Sequence, residues 1–163
     1  MSRSAIYAAL FGLEPRDFWR TPPEVIAAIE QEFGPIGLDA CAMPDDAVCS
    51  GHIGPADDCR KVEWGPICRT KLVFVNPPYS RRAGGLLSFM DCAADQSGRW
   101  DLTVIVLAPP GVGSAYRRLA VAEGAEIRDL PKRLSFLHPD TGLLVQGNRE
   151  GSSLFIFRGS AHV

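Results

Sequence analysis

The sequence predicts an α/β fold with a mixed, mostly parallel sheet that ends in an antiparallel C-terminal hairpin. Short apolar runs alternate with helical patterns early in the chain, which favours strands with helices between them. The continuous apolar run at residues 102–107 is typical of a central strand that is buried on both faces. Near the C-terminus, the turn sequence at residues 138–142 separates two short apolar segments, which indicates antiparallel pairing.

Length and composition favour one compact unit. The chain has 163 residues, 46% of them hydrophobic, so we expect a single domain over residues 1–163. Residues 1–18 are interpreted as an N-terminal extension and residues 43–70 as a long irregular loop. No apolar run approaches the roughly 20 residues that a membrane helix needs, and no export signal is recognisable. We therefore expect no membrane association and a cytoplasmic location.

The predicted elements follow one another along the chain. Residues 4–13 are predicted to form a short helix. A second helix begins at Pro22-Pro23, because proline suits the first helical turn, and ends at Gly34-Pro35. Ser114 is expected to cap a later helix. Strands are predicted at residues 36–39, 72–75, 102–107, 126–130 and 153–157, and one further helix follows Leu86.

The most informative motif is Asn76-Pro77-Pro78-Tyr79, called the proline corner below. Its prolines end the preceding strand, because proline lacks a backbone N–H and has a fixed φ. An amide side chain, a carbonyl group and an aromatic ring therefore reach the sheet edge where α/β folds bind ligands. Two acceptors for an exocyclic amine and a ring that stacks on a flat base suit N-methylation of a planar amino group. The simpler alternative is a strand that ends in a proline turn.

Two weaker motifs precede the proline corner. Leu38-Asp39-Ala40-Cys41-Ala42 places an acid at a strand end before small residues, which fits a cofactor with an amino or hydroxyl group. An aspartate that caps a turn is the alternative. Trp19-Arg20-Thr21-Pro22-Pro23 lies just before a helix, whose free N–H groups can hold an anion such as a carboxylate.

These three motifs, in this order, resemble the phage-type DNA N6-adenine methyltransferase family. The similarity extends from about residue 19 to residue 157, and it includes the segment Lys132-Arg133-Leu134-Ser135-Phe136. The resemblance implies a Rossmann-like methyltransferase fold, S-adenosylmethionine as the cofactor, and methylation of the N6 amino group of adenine in DNA. It also implies a bacterial or phage-infected cell as the setting.

The resemblance assigns roles to individual residues. The catalytic set is Asn76, Pro77, Pro78 and Tyr79, with the Asn76 side chain and the Pro77 carbonyl as acceptors and Tyr79 stacked on the base. For the cofactor, Thr21 and Pro22 are expected at the methionine end, Asp39 beside the amino group, Cys41 and Ala42 as a close-packed wall, and Asp58 near the adenine.

The charge pattern bears on binding of nucleic acid, and the cysteine pattern bears on binding of metal. The net charge is -2, which does not favour a dedicated nucleic-acid binder but allows a local basic patch. The DNA is expected to be double-stranded with the target base turned out of the stack. The five cysteines contain no C-x-x-C pair, so no metal site is expected. Phosphate contacts are expected from Arg81, Arg82, Arg117, Arg118, Lys132 and Arg133, with a solvated surface as the alternative.

Two other functions stay open on sequence grounds. The Asn-Pro-Pro-Tyr motif also occurs in enzymes that methylate adenine in RNA or a glutamine amide in proteins, so the acceptor rests on loops. A degenerate, non-catalytic module that binds nucleic acid or a partner is the second rival. The missing glycine-rich cofactor motif and the weak net charge favour that rival slightly.

Overall fold

A five-stranded sheet with helices on both faces forms the centre of the protein. The computed structural model describes residues 1–43, 45–145 and 150–159, apart from the side chain of Arg82. The helices are α1 (Arg3–Phe11), α2 (Pro23–Phe33), α3 (Gly85–Trp100) and α4 (Ala115–Ala122). The strands are β1 (Leu38–Asp39), β2 (Leu72–Val75), β3 (Thr103–Ala108), β4 (Glu126–Asp129) and β5 (Ser153–Arg158).

The strand order confirms the predicted mixed, mostly parallel sheet. The order is β1-β2-β3-β5-β4, with β1, β2 and β3 parallel to one another. Strand β5 runs antiparallel to both β3 and β4, so β4 points the same way as the first three strands. The carboxyl ends of four strands therefore meet at one edge of the sheet. The proline corner directly follows β2 at that edge.

The predicted C-terminal antiparallel pairing has two parts. Strand β5 lies inside the sheet, whereas the turn at residues 138–142 closes a separate small pairing between Leu137 and Leu144. Leu137 also pairs with Arg20, with N–H to carbonyl distances of 2.8 and 3.0 Å. The segment before α2 is thereby fixed to the C-terminal third of the chain.

Strands β2 and β3 are buried on both faces, which explains their unbroken apolar sequence. Alternate residues of a strand point to opposite faces. Val73 and Val104 pack in the core cluster that contains residues of α3 and α4, and Phe74 and Ile105 pack in the cluster that contains Ile29 of α2. Both sheet faces are thus covered, and the carboxyl edge is left to form a binding site.

The long segment between β1 and β2 is irregular but well anchored. In its described residues, regular structure is limited to the 3-10 turn Cys59–Lys61 and an isolated parallel bridge from His52 to Asp39. Trp64 is fully buried, its ring N–H donates to the Cys59 carbonyl at 2.9 Å, and its backbone N–H donates to Gln96 at the same distance. Burial of an indole with its N–H satisfied fixes this segment against α3.

Element boundaries differ from the predictions by a few residues. Helix α2 starts where the two prolines predict, and Gly34 ends it with a φ of 93°. Ser114 caps α4 as expected, because its hydroxyl accepts the N–H of Arg117. Strand β1 has two residues rather than four. No helix in the described part of the chain is long and apolar enough to cross a membrane.

Candidate active site

The side chain of Asn76 is held in one orientation at the end of β2. Its amide nitrogen donates to the Trp19 carbonyl oxygen at 3.3 Å and to the Thr21 hydroxyl at 3.1 Å. The Tyr79 hydroxyl lies 3.3 Å from the amide oxygen of Asn76 and 3.1 Å from the Leu107 carbonyl oxygen. Because two acceptors satisfy the nitrogen, the amide oxygen is the end that is left to meet a ligand.

Two cavities meet at Asn76. The first has a volume of about 550 Å³ and the second about 710 Å³. Asp17, Trp19 and Asn76 line both cavities. Ligands in the two cavities would therefore both border these residues.

Most of the residues that were predicted to bind the cofactor line the first cavity. Pro78 also lines it, whereas Pro77 and Tyr79 line the second cavity. Pro22 is buried at the start of α2 and lies outside both lining sets. The predicted cofactor residues in the first cavity are Thr21, Asp39, Cys41, Ala42 and Asp58.

Asp39 presents a carboxylate oxygen that lacks a partner. One oxygen accepts the N–H of Val48 at 3.0 Å, and the other is buried without a hydrogen bond from any described residue. Burial raises the pKa of Asp39 to about 6. An ammonium group of a ligand would satisfy this oxygen and favour the charged carboxylate. The residues present thus fit a cofactor that carries an amino group.

Asp58 lies in the first cavity but is already paired. Its two oxygens each lie 2.8 Å from the Arg60 guanidinium, which lowers the pKa of Asp58. Arg60 also donates to the Ala83 carbonyl at 2.6 Å and lies 4.3 Å from the Phe89 ring centroid. The pair ties the β1–β2 segment to the turn that follows the proline corner.

Two thiols form part of the wall of the first cavity. The sulfur atoms of Cys41 and Cys59 lie 3.5 Å apart. The hydrogen bond to Cys59, together with burial, raises the pKa of Cys41 well above its usual range. Cys41 therefore stays protonated at neutral pH, and both side chains act as small apolar wall residues. Within the described ranges, no group of three or more His, Cys, Asp and Glu is placed to hold a metal.

The predicted basic residues follow the carboxyl ends of β2, β3 and β4. Arg81, Lys132 and Arg133 are exposed to solvent. Arg117 is instead bound within the protein, to Asp129 at 3.2 Å and to the Pro110 carbonyl at 2.8 Å.

The remaining two predicted basic residues are Arg118 and Arg82. Arg118 donates to the Gly113 carbonyl at 2.6 Å. The side chain of Arg82 lies outside the described structure. The topology therefore brings all six positions towards one edge of the sheet. Among the five whose side chains are described, Arg117 is the one that forms an ion pair with an acid.

Sequence reasoning missed Asp17 and Arg60. The Asp17 carboxylate accepts hydrogen bonds from the backbone N–H groups of Tyr79 and Ser80. Nothing in the local sequence around either residue distinguishes it from an ordinary loop charge, because its important partners are distant in the chain. The second cavity was also missed, since residues far apart in sequence line it, among them Leu86, Pro109, Tyr116, Phe136 and Glu150.

The strand order and the helices on both faces of the sheet are consistent with a Rossmann-like methyltransferase fold. The chain belongs to the DNA N-6-adenine-methyltransferase (Dam) family, whose family model matches residues 12–162. It is 34% identical over 158 residues to the DNA N-6-adenine-methyltransferase of Escherichia phage T1, covering 88% of this chain and 63% of that protein. This chain thus spans less than two thirds of the length of the phage T1 relative.

A shorter similarity concerns a bacterial protein. The YfdM protein of Escherichia coli strain K12, whose name assigns it provisionally to the methyltransferases, is 34% identical over 68 residues. That match covers 40% of this chain and 75% of the bacterial protein.

Proposed function

We propose that this protein transfers a methyl group from S-adenosylmethionine to the N6 amino group of adenine in DNA. The observation that carries the proposal is the oriented amide of Asn76 at the junction of the two cavities. The first cavity would hold the cofactor, and the second would hold a base that has been turned out of the double helix. Membership of the Dam family supports this choice of reaction.

The cofactor would be held by the polar and small residues of the first cavity. The free oxygen of Asp39 would accept the amino group, and Thr21 would lie near the methionine end. Cys41 and Ala42 allow close approach of the ligand to the wall. Asp58 would approach the adenine only with lone pairs that Arg60 leaves free, because both of its oxygens are paired. When bound, S-adenosylmethionine supplies a methyl group activated by a sulfonium.

The chain's own contribution to the chemistry is the placement of acceptors. The N6 nitrogen is a poor nucleophile because its lone pair is delocalised into the ring. The Asn76 oxygen and the Pro77 carbonyl would accept its two N–H groups and pull the nitrogen towards tetrahedral geometry. Positive charge develops on that nitrogen during attack, so fixed acceptors stabilise the transition state more than the ground state. The proton leaves after transfer, and no dedicated general base is needed.

Tyr79 combines two tasks in this proposal. Its ring lines the second cavity, where it would stack on the base. Burial raises the pKa of its hydroxyl, so this group stays protonated, and its single hydrogen is shared between the Asn76 oxygen and the Leu107 carbonyl. An amide oxygen has two lone pairs, which leaves one for the substrate amine.

DNA would approach the carboxyl edge of the sheet. Arg81, Lys132 and Arg133 are exposed there and would contact phosphates. Arg82 and Arg118 would contribute further charge, whereas Arg117 is committed to Asp129. Double-stranded DNA with the target base turned out of the stack is the proposed substrate, because the second cavity at the end of β2 and β3 would take a single base.

A methyl-transfer assay with labelled S-adenosylmethionine tests the proposal. Unmethylated double-stranded DNA, RNA and protein are offered as acceptors in parallel, and the position of the label on adenine is determined. Label on N6 of adenine in DNA supports the proposal. Label confined to RNA or to a glutamine amide would show that the acceptor is RNA or protein instead of DNA. Micromolar cofactor binding without transfer to any acceptor would contradict the catalytic role.

A further inference from the structure

The segment between α1 and α2 crosses the boundary between the two cavities. This segment, residues 14–21, is called the strap below. It contains a 3-10 turn, Pro15–Phe18, and then pairs through Arg20 with Leu137. Asp17 and Trp19 of the strap line both cavities, so the strap forms part of the wall between them.

One carboxylate of the strap collects four hydrogen bonds. The first oxygen of Asp17 accepts the N–H of Tyr79 at 3.0 Å and the N–H of Ser80 at 3.1 Å. The second oxygen accepts the Ser80 hydroxyl at 2.5 Å and the N–H of Glu14 at 2.9 Å. Three of the four donors thus belong to two consecutive residues at the end of the proline corner.

These donors depend on Asp17 because the sheet no longer serves them. Strand β2 ends at Val75, and the two prolines that follow supply no N–H groups. Ser80 is 1% exposed, so water is a poor substitute partner for its polar groups. Hydrogen bonds to a charged acceptor are about twice as strong as bonds between neutral groups.

The strap holds the opposite end of the proline corner as well. The Trp19 carbonyl and the Thr21 hydroxyl both accept hydrogen bonds from the amide nitrogen of Asn76. The corner is therefore fixed at its first residue by Trp19 and Thr21 and just past its last residue by Asp17. Removal of either attachment would let the amide and the aromatic ring move relative to each other.

We propose that Asp17 is a positioning residue that fixes the proline corner, so that the Asn76 oxygen and the Tyr79 ring keep their places in the second cavity. Asp17 acts through Asn76 and Tyr79 and has no part in the chemistry itself. That Asp17 fixes the proline corner follows from the described contacts alone. Its effect on the rate rests on the proposed function.

Amide hydrogen exchange tests the geometry without any activity measurement. We expect Asp17→Asn to raise exchange at Tyr79 and Ser80 roughly tenfold, in line with a weakened bond to a charged group, while Ile105 of β3 stays unchanged. Asp95→Asn is the matched control, because Asp95 pairs with Arg99 on the exposed side of α3. Unchanged exchange at Tyr79 and Ser80, or an equal rise throughout the sheet, would overturn the proposal.

A second variant covers the case in which Asp17→Asn does not fold. Ser80→Ala removes the hydroxyl bond to Asp17 and keeps both backbone bonds. We expect a smaller rise in exchange, about threefold, confined to Tyr79 and its neighbours. If amide exchange in the proline corner of Ser80→Ala equals that of the wild type, the proposal is overturned.

A double-mutant cycle tests the link to the rate. Asp17→Asn should lower kcat about tenfold in the wild-type background and less than threefold in the Asn76→Ala background, because a positioning effect disappears with the group that is positioned. Equal reductions in both backgrounds would assign Asp17 a general structural role and overturn the proposal. If the wild-type protein transfers no methyl group, the proposed function fails, while the exchange experiment still decides the geometry.

Discussion

The amide nitrogen of Asn76 lies 3.1 Å from the hydroxyl of Thr21, and this contact joins the end of β2 to the start of α2. Thr21 lines the first cavity, whereas Asn76 lines both. The contact therefore sets the rotation of the Asn76 amide from the side of the first cavity. Its direction turns the amide oxygen towards the Tyr79 hydroxyl, which lies 3.3 Å away.

Replacement of Asn76 is expected to abolish most of the turnover. Asn76→Ala should reduce kcat about a hundredfold or more, the usual effect of losing one preorganised polar group. Because Thr21 and Asp39 remain in the first cavity, cofactor affinity should change much less than the rate. Labelled-methyl transfer measures the first quantity and calorimetry the second. A rate within a few fold of wild type would remove Asn76 from the mechanism.

Two variants of Tyr79 separate the ring from the hydroxyl. Tyr79→Phe keeps the stacking surface but loses the bond to the Asn76 oxygen, so we expect a lower kcat with little change in KM for DNA. Tyr79→Ala removes the ring and should weaken substrate handling as well, with cofactor affinity largely intact. Steady-state kinetics and cofactor calorimetry distinguish the two. Loss of cofactor binding in Tyr79→Ala would contradict the stacking role.

The buried carboxylate of Asp39 predicts a pH dependence of stability. Its pKa rises from 3.8 in the unfolded chain to about 6 in the free protein, so between these values the folded state binds more protons. Stability therefore falls as pH rises from about 4 to 6, by up to about 3 kcal/mol on the scale of 1.4 kcal/mol per pKa unit. Asp39→Asn should remove this component, which thermal unfolding across the pH range measures. If stability depends on pH in the same way in Asp39→Asn and in the wild type, a group other than Asp39 causes that dependence.

The same carboxylate should govern cofactor affinity. Asp39→Asn keeps an acceptor for the N–H of Val48 but removes the charge of a residue that lines the first cavity. We expect S-adenosylmethionine to bind at least about tenfold more weakly, since an ammonium group loses its opposite charge. Wild-type affinity should increase from pH 5 to 7 as Asp39 ionises. Calorimetry at several pH values tests both statements, and tight, pH-independent binding by the variant would refute them.

Phosphate contacts predict a salt dependence that single arginines alter. Arg81→Ala should reduce the slope of log affinity for DNA against log salt concentration by about one, the effect of one lost phosphate contact. Arg99→Ala is the matched control, because Arg99 lies near the end of α3, away from the carboxyl edge, and pairs with Glu63 and Asp95. Equal slopes in wild type and Arg81→Ala would exclude this contact.

Local patterns predicted the strands and the proline corner, because the physical cause lies in adjacent residues. The apolar run of β2 and the two prolines after it fix where the strand stops, whatever the rest of the chain does. Prolines likewise fix the start of α2. The fold class followed from the order of such local signals, and the sheet confirms it.

The supporting contacts could not be predicted, because they join distant parts of the chain. Asp17 is 62 residues from Tyr79, and Arg60 is 23 residues from Ala83. In each case the local sequence shows a charged residue in a loop but does not indicate which distant residue it contacts. The pairing of Arg117 with Asp129 has the same character and reduces the charge that sequence reasoning assigned to DNA.

The three side chains shared by the two cavities, Asp17, Trp19 and Asn76, imply thermodynamic linkage between the two ligands. In the proposed arrangement, a cofactor in the first cavity that shifts any of them would reshape the second cavity, and a base bound there would act back on the cofactor by the same factor. Nucleic acid that has been bound beforehand would then set the effective concentration at which the methyl donor saturates the protein.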